Sequence, residues 1–280
     1  MDRRRVKKGN AINKPRIKAL NVETHRIEEA SLNAWPAMRQ TLLDGWVLRF
    51  SRGFTKRSNS IIPLYPARAP DRGDDRNDSR RLLDKVRYCE NLYAREQLQT
   101  VFRLTDIQEA QTEQLVKVLQ DRSYQPADPS LVLVTKLASP VDTQASLSDS
   151  TRIVPIDEWL TSYCTLTGMN EPARSLHRLI LNGIGGECAF TVLYVDEAPA
   201  ACGLAVVEHD LVGLFDIFTH DQLRRRGLAK TLVTAMLDWA GNRGAQYAYL
   251  QVVEQNSSAR QLYDQLGFSE MYRYEYLIAP

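Results

Sequence analysis

The stretch FTHDQLRRRGLAKTLVTAMLDWA, residues 218–240, decides how the chain is read. It leaves an apolar strand-like run, LVGLFDIF (211–218), and passes through three arginines and a glycine into an amphipathic pattern. Leu228, Leu232, Ala235, Met236 and Trp239 recur at a helical period, so a helix starts near Gly227. The first N–H groups of a helix lack intrahelical partners and lie at the positive end of its dipole. A strand–turn–helix junction is therefore a seat for an anion. Gly227 has no Cβ to hold a diphosphate off the backbone, and Ala229 is nearly as small. Arg224, Arg225 and Arg226 add charge and donors. Other phosphate loops fail on spelling: there is no Walker G-K-[ST], and GIGGEC at Gly183 lacks the third glycine of a dinucleotide fingerprint.

Around this junction the second half reads as strands and helices in turn. ECAFTVLYV (187–195) and ACGLAVVEH (201–209) flank the turn DEAP as a hairpin. AYLQVV (248–253) is a strand, and Asn256 or Ser257 caps a short helix carrying Ala259, Leu262, Tyr263 and Leu266. MYRYEYLI (271–278) alternates as a last strand. In the first half WVLRF (46–50) reads as a half-buried strand, followed by SIIPLY (60–65), QTVFRL (99–104) and the buried LVLVTKL (131–137). Helices fall on Leu82–Val86–Cys89–Tyr93 and on Leu115–Val118–Leu119, and the polar run 66–81 reads as a loop. Both halves end strand–helix–strand–helix–strand, with an aromatic turn (RSY, LGF) after the last helix, a weak internal repeat. The charge-poor segment 139–150 is the best linker.

Composition narrows the classes. The chain has 280 residues, with 36 Lys+Arg against 34 Asp+Glu, a balance that speaks against a nucleic-acid binder. Residues 1–21 are basic and read as a disordered tail. No apolar run is long enough for a membrane span. The four cysteines have no C-x-x-C spacing and the four histidines no ligand spacing, so no metal is expected and a reduced, cytoplasmic setting is. The tryptophans and the YRYEY ladder read as core and sheet packing.

The loop R-x-x-G-x-A (224–229), followed by N-x-x-A-x-x-L-Y-x-x-L-G-F (256–268), resembles the GNAT N-acyltransferase superfamily, whose acyl-CoA loop reads [QR]-x-x-G-x-[GA]. The string NAWPAMRQTLLDGWVLRFSRGFTKRSNSIIPL (33–64) resembles bacterial tandem-GNAT proteins with a degenerate N-terminal copy. The resemblance implies an α/β (α+β) fold of two GNAT-like mixed-sheet domains in tandem. A degenerate copy occupies 22–138 and a catalytic one 151–280, which carries the acyl-CoA motif. It implies acetyl-CoA as co-substrate, held by the backbone of Ile217, Phe218 and Thr219, by Arg224, Arg225, Arg226, Gly227, Leu228 and Ala229, and by Asn256.

The implied reaction acetylates a primary amine by direct attack in a ternary complex. The amine must lose a proton, and the departing thiolate must gain one. Tyr263 matches the family's acid. Asp216, alone in an apolar strand beside the seat, is the first candidate base, with an arginine-paired structural role as the alternative. Glu208 is the second candidate, and Glu187, Glu254 or a water relay remain behind it. Cys188 and Cys202 read as buried core rather than acyl carriers. A small-molecule amine is the first acceptor class; a protein lysine or N-terminus, or a non-catalytic acetyl-CoA sensor, are the alternatives. A homodimer stays open.

Overall fold

The computed structural model of the protein describes residues 22–65, 75–107, 109–138 and 150–280. The basic tail (1–21) and all of the expected linker except Ser150 lie outside them. The first half runs α1 (Thr24–Ala34), β1 (Arg39–Leu43), β2 (Trp46–Phe50), β3 (Ile61–Pro63), α2 (Asp75–Arg95), β4 (Val101–Thr105), α3 (Glu109–Asp121) and β5 (Gln125–Lys136). The second runs β6 (Thr151–Ile153), α4 (Ile156–Thr167), α5 (Glu171–Asn182), β7 (Glu187–Val195), β8 (Ala198–Glu208) and β9 (Leu211–Thr219). It ends with α6 (Leu228–Gly241), β10 (Tyr247–Val253), α7 (Ser257–Gln265) and β11 (Ser269–Ile278). Among the described residues no helix is long and apolar enough to cross a membrane.

The strands form one sheet, in the order β1-β2-β3-β4-β11-β5-β10-β9-β8-β7-β6. The halves do not keep separate sheets. Each lends its final strand to the other: β11 pairs with β4, and β5 pairs with β10. The two lent strands meet along the centre of the sheet, antiparallel. The sequence of β5 explains its place. Leu131, Val132, Leu133 and Val134 are all buried, so this strand needs a sheet neighbour on each edge and a helix layer on each face.

The order is nearly palindromic about that centre. β3 runs parallel to β4, as β9 does to β10. The faint RSY/LGF repeat has a geometric basis. Tyr124 N–H donates to the Leu119 carbonyl at 3.1 Å, and Phe268 N–H to the Tyr263 carbonyl at 2.9 Å. The preceding residues, Ser123 (φ 63°) and Gly267 (φ 81°), are left-handed, so both helices end on the same stop. Tyr263 thus corresponds to Leu119, a fully buried leucine with no hydroxyl to offer.

Helices α1, α4 and α5 cover one face of the sheet, with a core that includes Ile27, Trp35, Trp159, Leu204, Phe215, Tyr249 and Tyr272. On the other face α6 and α7 pack over the second half's strands, and α2 and α3 over the first's. The sequence reading leaves α1, β1, β6, α4 and α5 unassigned. Their signals are local: Asn170 caps α5 by accepting from Ala173 N–H at 3.1 Å, and Gly168 (φ 71°) ends α4. The polar run 66–81 proves helical from Asp75 onward, while 66–74 lie outside the described residues. No glycine or proline in DRNDSRR stops the helix. The half-buried reading of WVLRF is also corrected: all five residues are buried, Arg49 included, because helices lie over both sides of β2.

Candidate functional site

β9 and β10 start as a parallel pair and then part. Residues Leu211 to Leu214 register with Tyr247 to Leu250, and beyond them the strands continue to Thr219 and Val253 unpaired with each other. The cause is a bulge. Leu204 faces Phe215 and Cys202 faces Phe218, so Gly203 alone opposes both Asp216 and Ile217. Asp216 takes the left-handed conformation that this extra residue requires, φ 49°. The bulge turns Phe215 and Asp216 to the same face, toward α5, and Ile217 to the α6 face.

Neighbouring residues fix the bulge. Trp159 Nε1 donates to the Gly203 carbonyl at 3.1 Å, a carbonyl the bulge frees from the ladder. A Cβ on Gly203 would lie 2.9 Å from Met236 Sδ and 3.3 Å from Ile217 Cγ1, so a larger residue would have to displace the Met236 side chain. His177 Nε2 lies 2.9 Å from Asp216 Oδ2. The imidazole is 1% exposed and ringed by Trp35, Phe54, Trp159 and Tyr163. Asp216 is thus paired, with a histidine rather than an arginine. It keeps some exposure, at 14% of its side chain, while His177 is shut away from any incoming molecule. His177 therefore orients the carboxylate. Sequence reading missed it; its only signal is the spacing His177, Ile180, Leu181 on the buried side of α5.

Past the parted strands the chain turns into α6. Among the described residues, the backbone N–H groups of 225–230 have no acceptor within the protein; the first to find one is Thr231, which donates to the Gly227 carbonyl at 3.0 Å. Arg225 (φ 61°) and Gly227 (φ 82°) both take left-handed conformations. A Cβ at Gly227 would meet nothing within 4 Å, so the space in front of these donors is open. Unpartnered N–H groups at a helix start, facing open space, fit a diphosphate. Arg224 is exposed and paired with Asp221 at 2.5 Å.

The other expected site residues divide. Tyr263 lies on α7, buried against Phe268, and among the described residues its hydroxyl makes no hydrogen bond. Burial pushes that hydroxyl's pKa up to about 12. Asn256 caps α7 through Oδ1, which accepts from Ala259 N–H at 3.1 Å, and its amide N–H2 remains to donate elsewhere. Glu208 is not brought to the bulge. It stands farther along β8, roughly 13 Å from Leu204 at the usual strand rise, and accepts from Asn33 Nδ2 at 2.9 Å. Cys202 is fully buried, and burial pushes up both its thiol and that of Cys188, the latter to about 11. Neither is poised as a thiolate nucleophile. The tyrosine ladder is packing: Tyr272, Tyr274 and Tyr276 are all buried on the α1 face.

The family described as "Probable histone acetyltransferase Rv0428c C-terminal" matches residues 22–277. The chain is 25% identical over 262 residues to the "Uncharacterized N-acetyltransferase YobR" of Bacillus subtilis (strain 168), a match covering 91% of this chain and 98% of that one. A GCN5-related N-acetyltransferase from Kribbella flavida has a similar structure, with TM-score 0.63 at 15% identity over 91% of this chain and 95% of that one. A tandem GNAT protein from the clavulanic acid biosynthesis pathway aligns with TM-score 0.58 at 14% identity, over 79% and 74% of the two chains. At such identities the structures show a common fold.

Proposed function

This chain belongs to the Rv0428c C-terminal acetyltransferase family, a branch of the GNAT superfamily, and we propose that it moves an acetyl group from acetyl-CoA to the primary amine of a small molecule. The observation that carries the reading is the row of unpartnered N–H groups at 225–230, placed where β9 and β10 part. Those donors, with Gly227 and Ala229, would hold the pyrophosphate. The edge of Ile217, Phe218 and Thr219 that faces away from β8, where β10 no longer pairs, would with the Asn256 amide hold the pantetheine arm. Bound there, acetyl-CoA supplies an activated acetyl thioester.

The chain's own groups then divide the proton work. Asp216, oriented by His177, takes the proton that the acceptor nitrogen releases as its bond to the acetyl carbon forms. Tyr263, whose pKa of about 12 keeps it protonated at neutral pH, gives a proton to the sulfur as the carbon–sulfur bond breaks. The N–H groups at the bulge stand ready as donors to the thioester oxygen. The thiols of the buried Cys202 and the half-buried Cys188, both held protonated by desolvation, support direct transfer without an acyl-enzyme. On this reading 22–138 is a degenerate copy: it has no arginine–glycine loop, and Leu119 stands where the second half has Tyr263.

The test is acetylation of a panel of primary amines, followed as free CoA and as product mass, with wild type and Tyr263→Phe. Product from at least one small amine, formed at least about tenfold more slowly by the variant, is expected. Absence of product from every amine, with acetyl-CoA bound, would leave a binding protein without transferase activity. The name of the matched family favours a protein amine as the second reading, and a peptide acetylated in preference to all small amines would establish it.

A further inference from the structure

Arg57 lies in the 3-10 turn Lys56–Ser58, in the first half of the chain, yet its guanidinium reaches the second half's bulge. It stacks 5.1 Å from the Trp35 ring centre and 5.5 Å from that of Phe215, the residue before Asp216. Among the described residues its guanidinium makes no hydrogen bond and no ion pair, and Nε is buried without a partner. Arg57 is half-buried, and a guanidinium that is partly desolvated and has no acceptor is open to an incoming one.

No nearby carboxylate is free to do so. Glu28 accepts from Arg103 through both oxygens and from Tyr272. Asp128 pairs with Lys56 at 2.7 Å, Asp216 with His177, and Glu208 with Asn33. Arg49, fully buried, has no acid either. Among the described residues its guanidinium donates only to the carbonyls of Arg57, Leu32 and Trp35. Burial lowers its pKa to about 9, and the charges of Arg103 and Arg57 push the same way. Of these three arginines only Arg103 is bound to a carboxylate, and among the described residues Arg49 and Arg57 have none.

We propose that Arg57 holds the carboxylate of the acceptor, so that the molecule acetylated is an amino acid or another small amine bearing a carboxylate. The assignment rests on the acetyltransferase reading above for the fate of the amine, and on Arg57 alone for the carboxylate. The guanidinium carbon lies over the Trp35 and Phe215 rings, and its N–H groups, without an acceptor among the described residues, suit a planar anion, which a carboxylate matches through two parallel hydrogen bonds. The turn that presents it is rigid: Arg49 Nη1 holds the Arg57 carbonyl at 2.8 Å, and Asn59 Nδ2 holds those of Phe54 and Thr55 at 2.8 and 2.9 Å. Asp216, for the amine, directly follows Phe215, over whose ring Arg57, for the carboxylate, lies at 5.5 Å. The first half of the chain then shapes acceptor specificity.

The experiment titrates the α-amino acids, each beside its α-amide, into wild type, Arg57→Gln and Arg57→Lys by calorimetry. Acetylation of the same pairs is followed in parallel. In wild type at least one acid binds more than about tenfold more tightly than its amide, the effect of one charge-assisted contact. Arg57→Gln removes that preference and leaves amide binding as it was, while Arg57→Lys keeps part of it. The guanidinium supports no other hydrogen bond, so the thermal transition of each variant stays near that of wild type. No acid–amide preference in wild type, or the same preference in Arg57→Gln, overturns the assignment. A preference without any acetylated product keeps the Arg57 assignment and sinks the transferase reading. Product formed equally from acids and amides does the reverse.

Discussion

Glu28→Gln removes one negative charge from the interior and leaves its partner behind. Glu28 on α1 is 1% exposed, and both its oxygens bind Arg103 on β4. Tyr272 on β11 donates to it as well, so one carboxylate joins a helix and a strand of the first half to a strand of the second. Arg103 is 2% exposed and stacks 3.9 Å from the Tyr274 ring. Breaking a buried pair from one side costs about 3–5 kcal/mol, because the surviving charge stays desolvated. Set against a total of about 5–15 kcal/mol, that is a large share. Thermal unfolding followed by tryptophan fluorescence should show it, with Tm lower by roughly 6–20 °C for a chain of this size. Replacing both partners, as Glu28→Leu with Arg103→Met, should recover most of the loss. The pH dependence has a definite sign. Burial pushes the Glu28 pKa up, but Arg103 and Tyr272 outweigh it, so the folded value lies below the ordinary 4.5. The stabilisation is complete above pH 4.5 and is lost as pH falls through the folded value. The gap between wild type and Glu28→Gln should therefore narrow only in that acid range. A single-variant loss below about 1 kcal/mol, or additivity of the two substitutions, would refute the reasoning.

Asp216→Asn keeps an acceptor for His177 but no base: kcat should fall by about 10² to 10⁴, with acetyl-CoA affinity unchanged, and an unaltered kcat would remove Asp216 from the mechanism. Residues 151–280 expressed alone lack β5 between β10 and β11; they should show no cooperative thermal transition, and co-expression with 22–138 should restore one. A sharp transition from 151–280 alone would mean that the exchanged strands are dispensable. Alanine at both Cys188 and Cys202 should leave turnover largely intact, and its loss in a folded protein would reopen the acyl-enzyme route.

The strand–turn–helix junction proposed as the anion seat was legible because its determinants are local. A strand end, a glycine with open space before it and a helix start all fall within residues 211–241. The repeat was legible faintly, as two aromatic turns whose backbone geometry proves to be the same. What depends on distant pairing stayed hidden. The exchange of β5 and β11 leaves no mark in either strand's sequence, since an apolar strand accepts any neighbour of the right register. LFDIF reads as an apolar strand interrupted by one acid; only the ladder with β8 shows that Asp216 is the bulged residue. Glu208 looked near the base position because both strand ends are polar, yet the antiparallel hairpin sends it to the other end. Arg49 and Arg103 carry no sequence sign of burial, because arginine is ordinarily a surface residue.

The most direct measurement is calorimetric titration of acetyl-CoA into wild type, Gly227→Ala and Gly227→Glu. At φ 82° any side chain strains the backbone by roughly 1–2 kcal/mol, but nothing lies within 4 Å to clash with it, so all three proteins should fold. Alanine controls for the strain, and glutamate adds a charge where the pyrophosphate is placed. Binding to wild type, weakened binding to the alanine variant and none to the folded glutamate variant is the predicted result. Equal binding by wild type and Gly227→Glu, or none by wild type, would contradict the placement of acetyl-CoA at the start of α6.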